Sequence, residues 1–415
     1  MNIFKLSYRN MISRPLSTTL CLVLLTLGVG MISLLLQVNH HIEQQMGNNV
    51  RGIDMVVGAK GSPLQLILSA VYHIDAPTGN ISMKEAEKLK RNRLVAAGIP
   101  LSYGDSYKGY RIVGTSFDYP KLYEGSLASG RLWQKPNEVT IGAMVAKNLG
   151  LKLGDAFVGS HGLAEGGEVH DEQRYEVVGI LNYSNAVLDQ LILTATESVW
   201  EVHHHEDEVD HTAKSAENRE PETQEENHSE EHIDEREITA MLIQFRNPMG
   251  IVQLPRMINQ NTNMQAAVPA YEISRLFSLM GVGIDMLSTI ALVIMAVSGL
   301  SIFISLYSAL KDREYEMALL RAYGSTRWQL VWLVLQEGLL LTLSGFVLGI
   351  ISSRIGLWFI SVLMEADFHY SFSGWIWLKE EWGLLLTVLI IGLLSSLLPA
   401  IRVFHINISR TLADA

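Results

Sequence analysis

The stretch from 203 to 232, HHHEDEVDHTAKSAENREPETQEENHSEEH, gathers residue types that ligate metals. It holds His203, His204, His205, His211, His228 and His232, six of the chain's thirteen histidines, among eleven Asp and Glu residues. Neutral imidazole nitrogen beside carboxylate oxygen suits zinc, and equally copper or nickel. Zinc or another divalent ion is thus one expectation, with binding that weakens as the histidines protonate. The competing reading is a solvated loop. The segment has no apolar periodicity, and only Lys214 and Arg219 oppose its acids, so it lacks the apolar surface that would fold it. His161 and His170 read as surface residues of another loop, and His40 and His41 as polar residues at a membrane edge.

A second constellation is electrostatic. The stretch from 311 to 338, KDREYEMALLRAYGSTRWQLVWLVLQEG, puts eight charged residues between two long apolar runs. Its pattern is an amphipathic helix. Arg313, Glu314, Glu316 and Arg321 offer charges to a docking partner, while Met317, Leu319 and Leu320 face a bilayer or neighbouring spans. Gly324 can close the helix in a left-handed turn. An ordinary interfacial loop with solvated charges is the alternative.

Catalysis by the chain itself finds no support. There is no G-x-x-x-x-G-K-[ST] phosphate loop; GAKGSP at Gly58 has its lysine before the glycine and the wrong spacing. No nucleophile–base set is readable, since histidines and acids coincide mainly in the 203–232 segment. No catalytic or cofactor-binding residues are therefore assigned. The single cysteine, Cys21, rules out an intrachain disulfide.

The apolar runs must position these residues. The 415-residue chain is 48% hydrophobic and only 18% charged, the profile of a membrane protein with a sizeable water-exposed part. Leu20 to Val38 is apolar apart from Thr26, Ser33 and Gln37. At 1.5 Å per residue it reaches about 28 Å, enough for a hydrocarbon core. It is too long for the apolar region of a secretion signal, and no small-residue cleavage site follows. The expected order is an interfacial helix over 1–17, spans at 18–38, 284–310, 330–363 and 382–403, a cytoplasmic helix at 311–329, a short outside loop at 364–381 and a tail at 404–415. Gly345 and Gly349 form a small-xxx-small pair suited to close helix packing.

Basic residues orient the spans. Lys5, Arg9 and Arg14 precede the first; Lys311, Arg313, Arg321 and Arg327 lie between the second and third; Arg402 and Arg410 follow the fourth. The 364–381 loop offers only Lys379 against Glu365, Asp367, Glu380 and Glu381. The positive-inside rule then makes both termini cytoplasmic and puts 39–283 outside. Of the net charge of −11, the 203–232 segment supplies −9, so one loop sets the apparent acidity. No nucleic-acid partner is expected; membrane lipids are.

Within 39–283 the periods are mixed. SMKEAEKLKRN reads as a helix with Ser82 as N-cap, and MVAKNLGLKLGD as a helix ended by glycine. GYRIVGTSF, EVTIGA, RYEVVGIL and QLILTA read as strands. NHHIEQQMGNN and AYEISRLFSLMGVGIDM read as helical continuations of the first and second spans. The expected fold is four membrane helices plus a large α+β extracytoplasmic domain between helices 1 and 2, with 203–232 as an insertion.

DREYEMALLRAYGSTRWQLVWLVLQEGLLLTLSGFVLG resembles the signature of MacB/FtsX/LolC-type ABC transporter permeases, R-x-x-E-[ILM]-[AG]-x-x-R-A-x-G followed by a helix with an early Glu. Arg313, Glu316, Met317, Ala318, Arg321, Ala322 and Gly324 match it, and Glu337 lies where the family has its Glu. Pro399 and Ala400 match the family's ending. NEVTIGAMVAKNLGLKLGDAF with YEVVGIL resembles a MacB-type periplasmic core domain, and the span order is the family's.

The resemblance implies a bacterial inner-membrane permease working with a separate ABC ATPase dimer and a second permease copy, and engaging a periplasmic or outer-membrane partner. It makes 311–329 a coupling helix that turns ATP hydrolysis into motion of the outside domains. Lipoprotein, peptide or drug export or extraction is one reading, and an FtsX-like regulator of cell-wall hydrolases another. The His/acid insertion departs from the common pattern and leaves the cargo open, with a zinc-linked system as the sharpest version of the transport reading.

Overall fold

The computed structural model describes residues 7, 9, 13, 15–160, 169–200, 236–368 and 376–402. It divides into two compact units, Met1–Ile42 with Leu279–Ala415, and Glu43–Ser278.

The first long helix, α1 (Pro15–Val50), continues well past the apolar run, so NHHIEQQMGNN is the helical continuation expected of it. The outer unit follows with β1 (Met55–Ala59), α2 (Pro63–Ala70), β2 (Ile81–Ser82), α3 (Met83–Lys90), β3 (Val95–Tyr107), β4 (Tyr110–Thr115), α4 (Asp118–Leu122), β5 (Leu127–Gly130), β6 (Glu138–Ile141), α5 (Ala143–Leu149), β7 (Ala156–Ser160) and β8 (Val169–Leu181). Beyond a 3-10 turn at Val187–Gln190 come β9 (Ile192–Thr194), β10 (Glu237–Ile238), β11 (Ala240–Phe245), α6 (Met249–Asn261) and β12 (Met264–Ala267).

Ten of these strands form one mixed sheet in the order β12-β1-β11-β3-β4-β9-β6-β8-β5, with β7 bridging β3 and β8. Alternation along the strands buries one row on each face. Val56, Leu101, Val113, Leu193 and Leu242 pack with Tyr119, Tyr123 and Trp133 in one core. Met55, Val57, Met241 and Ile243 pack with Leu254 and Ile258 of α6 in another. Ser82 does precede α3 in extended conformation, although its side chain makes no capping hydrogen bond. Gly150 ends α5 at φ 67°, the left-handed turn its glycine foretold.

The other unit is completed by α7 (Pro269–Asp312), α8 (Glu314–Ala322), α9 (Arg327–Phe368) and α10 (Lys379–Arg402). Four helices, α1, α7, α9 and α10, are long and apolar enough to cross a membrane. Helix α7 is one continuous 44-residue element that already includes AYEISRLFSLMGVGIDM. Buried residues recur along it at Ala291, Met295, Ser298, Ile302, Leu306 and Ala309, one face of a 3.6-residue period. With Cys21, Leu25 and Val29 of α1, Leu341, Phe346 and Ile350 of α9, and Leu384 and Val388 of α10, these build the core of the bundle. Helix α1 meets α9 backbone to backbone: a Cβ on Gly349 would lie 2.7 Å from Val29 and 3.2 Å from Gly30 N. The Gly345/Gly349 pair thus provides the close approach expected of it.

Candidate functional site

Helix α8 carries the charged constellation. Its first turn holds Glu314 and Glu316 and its last turn Arg321, each at the end where the helix dipole favours it. Its buried residues are Met317 and Ala318, of which Met317 packs with Leu310, Leu330, Val331, Leu333, Val334 and Ala400. Leu319 and Leu320 are half-buried. Gly324 takes φ 96°, and Ser325 N donates to Leu320 O at 3.1 Å, closing the helix end. The next helix starts in a reciprocal cap: Thr326 N donates to Gln329 Oε1 at 2.9 Å and Gln329 N to Thr326 Oγ1 at 3.3 Å. The T-x-x-Q spacing carried this signal in the sequence, and the sequence reading passed over it.

Charges of this segment already meet partners within the chain. Arg313 donates to Ser13 Oγ at 2.5 Å and lies 3.9 Å from Glu316. Glu314 meets Arg402 of α10 at 3.4 Å. Arg402 also stacks 4.6 Å from the ring centre of Tyr307 on α7 and hydrogen-bonds its hydroxyl. The Glu316 side chain remains 69% exposed. Tyr323 and Trp328 are exposed as well, while Glu337 is buried on α9.

A second polar cluster lies in the bundle, and sequence reasoning missed it. Arg354 of α9 donates to both oxygens of Glu381 on α10 at 2.9 Å. Ser33 and Gln37 of α1 donate to Glu381 Oε1 at 2.8 and 3.3 Å, and Leu378 N to Oε2 at 3.2 Å. Glu381 is fully buried and Arg354 nearly so. The signal was an arginine inside an apolar run and a carboxylate at the head of the next.

In the outer unit, His73 Nε2 shares a hydrogen bond of 2.9 Å with the Tyr119 hydroxyl. The Arg111 guanidinium lies 4.5 Å from the Tyr103 ring centre. Burial, with help from Arg111, holds the His73 imidazole well below its ordinary range. Burial drives the Tyr103 and Tyr119 hydroxyls up. On β6, Glu138 takes a two-pronged bond from Arg131 at 2.6 and 2.7 Å, which with the Gln134 and Lys135 amides brings its carboxyl down to about 2.

His203, His204, His205, His211, His228 and His232 lie outside the described residues, as does His161. Among the described residues no three His, Cys, Asp or Glu side chains are gathered to hold a metal. The chain on either side of the insertion is held together. Trp200 Nε1 donates to Glu237 O at 2.6 Å, and the Arg236 guanidinium lies 5.3 Å from the Trp200 ring centre.

An apolar four-helix unit with a separate sheet domain inserted between its first two long helices is the architecture of a membrane protein with a large domain outside the bilayer. Residues 18–225 match the MacB-like periplasmic core domain, half of the chain, and residues 288–408 match the FtsX-like permease C-terminal domain. The chain belongs to the MacB/FtsX-type family of ABC transporter permeases, whose members work with a partner ATPase. It is similar to the periplasmic region of MacB from Actinobacillus actinomycetemcomitans, at 10% identity over 56% of this chain and 98% of that one, TM-score 0.33. It is also similar to the extracellular domain of the noncanonic ABC-type transporter YknZ from Gram-positive bacteria, at 13% identity over 51% and 98%, TM-score 0.28. No curated protein matches the chain.

Proposed function

We propose that this chain is the transmembrane subunit that couples ATP hydrolysis by a separate ATPase to movement of its periplasmic domains, with α8 as the docking element on the cytoplasmic face. The observation that carries this reading is the division of labour on α8. Met317, with Leu320 beside it, seats the helix on the bundle. Arg313 and Glu314 tie it to Ser13 and Arg402, and Glu316 is left exposed for a partner. A short helix held this firmly transmits a push instead of yielding to it. Through Leu310 and Tyr307 that push reaches α7, and α1 and α7 each continue as single helices into residues of the outer unit. A second copy of the chain completes the assembly on the ATPase dimer.

For cargo, the composition of 203–232 favours a zinc-linked system over lipoprotein, peptide or drug handling. The experiment for the coupling reading is charge reversal: Glu316→Lys or Arg321→Glu should abolish stimulation of the partner ATPase while the chain still inserts. Unaltered coupling in both would end it.

A further inference from the structure

The buried stripes of the four long helices do not end together. On α1 the stripe runs through Cys21, Leu25, Val29, Ser33, Gln37 and His41. On α9 it runs through Phe346, Ile350, Ser353, Arg354, Leu357 and Ser361, and on α10 it begins at Glu381 itself. All three stay buried up to the level of the Glu381 cluster. Helix α7 does not. From Leu279 to Ile290 none of its residues is buried, and the stripe starts only at Ala291. A Cβ on Gly281 or Gly283 would meet nothing within 4 Å among the described residues, whereas one on Gly28 would lie 3.3 Å from Met295 N and 3.4 Å from Ala291 O. So α7 touches α1 backbone to backbone at Ala291 and Met295, and about 18 Å of helix, from Leu279 to Ile290, lies unburied ahead of that contact.

We propose that Glu381 is a positioning residue that fastens α1, α9 and α10 into one three-helix body, against which α7 moves about its contact with Gly28. The physical reason is the asymmetry between the two kinds of contact. A carboxylate buried in an apolar bundle cannot leave its guanidinium, hydroxyl and amide donors without exposing an unpaired charge to hydrocarbon. Its donors come from α1 (Ser33, Gln37), α9 (Arg354) and the Leu378 amide ahead of α10, and both Gln37 and Arg354 also donate to Ile376 O, at 2.9 and 3.0 Å. Helix α7 contributes nothing to this network: its polar ties to α1 and α10, Ser305 with Ser17, Ser301 with Cys21 and Tyr307 with Arg402, all lie C-terminal to Ala291, so among the described residues the stretch from Leu279 to Ile290 has no such fastening. That α7 receives its push from α8 rests on the coupling reading above; the clamp does not.

The test uses the full chain in nanodiscs, without nucleotide or ATPase, diluted with unlabelled chain, in a Cys21→Ser background. Spin-label pairs at 362/380 and 362/285 report α9–α10 and α9–α7 separations. The 362/380 distribution should be single and narrow and the 362/285 distribution broad. Glu381→Gln should shift the closed-to-open ratio at 362/380 on the order of a hundredfold toward open. The double change Glu381→Gln with Arg354→Gln should narrow it again, because no unpaired charge then remains. The proposal is overturned by an unaltered 362/380 distribution in Glu381→Gln. It is equally overturned by a 362/285 distribution as narrow as 362/380 in the parent chain, which needs no variant to fold. Since no ATPase is present, failure here leaves the coupling reading standing.

Discussion

Glu314 and Arg402 lie 88 positions apart and meet at 3.4 Å, with the Arg402 guanidinium stacked 4.6 Å over Tyr307. One side chain thereby joins α7, α8 and α10. Both members of the ion pair are about a third exposed, so the bond fixes where α8 sits more than it stabilises the fold.

Arg402→Ala should therefore change the thermal stability of the chain by no more than about 1 kcal/mol, yet reduce ATPase stimulation in proteoliposomes holding the partner. Glu316→Lys and Arg321→Glu should abolish stimulation with normal membrane levels. A drop in stability as large as the drop in coupling for Arg402→Ala would recast this residue as purely structural.

The α1–α9 crossing should be intolerant of added volume. Gly349→Leu places atoms where Val29 and Gly30 N already stand at 2.7 and 3.2 Å, and overpacking of this kind costs about 1–3 kcal/mol. Gly383→Ala on α10 has nothing within 4 Å and should be silent. Melting curves of the two detergent-solubilised variants decide the matter, and equal curves would contradict the packing.

Two side chains of the outer unit set separate pH windows. His73 is held neutral in the fold, below the 6.5 of the unfolded chain. As pH falls below 6.5 the unfolded chain takes up a proton that the native one refuses, and stability is lost. Glu138, at about 2 against 4.5 unfolded, contributes stability that is whole above 4.5 and disappears as pH drops toward 2. His73→Asn, tolerated at its φ of 56°, should flatten the upper window alone, read by tryptophan fluorescence melts of the full chain. An unaltered pH profile in that variant would remove His73 as the cause.

If the 203–232 segment captures metal, zinc titrated into the full chain should bind at neutral pH and release at about pH 5, where histidines are protonated. Deletion of the segment should remove that heat. Persistence of zinc binding and of growth at low zinc after deletion would reassign the segment as a solvated loop.

Much of the architecture was legible in the residues, because long apolar runs and strand alternation report burial directly. The left-handed stops at Gly150 and Gly324 were legible too, since only a residue without Cβ takes φ 67° or 96° freely. The T-x-x-Q cap ahead of α9 was equally readable and was overlooked.

By itself the sequence determined which segments are apolar, where glycine stops a helix, and which charges stand between the second and third runs, since each depends on residues near one another in the chain. Only the tertiary structure decided which of those charges are already spent. Ser13 reaches Arg313 across 300 positions, and Ser33 reaches Glu381 across 348. Pairing at such separation is set by how helices cross, and although a glycine pair marks where a helix can be approached closely, which helix meets it is encoded by no local pattern.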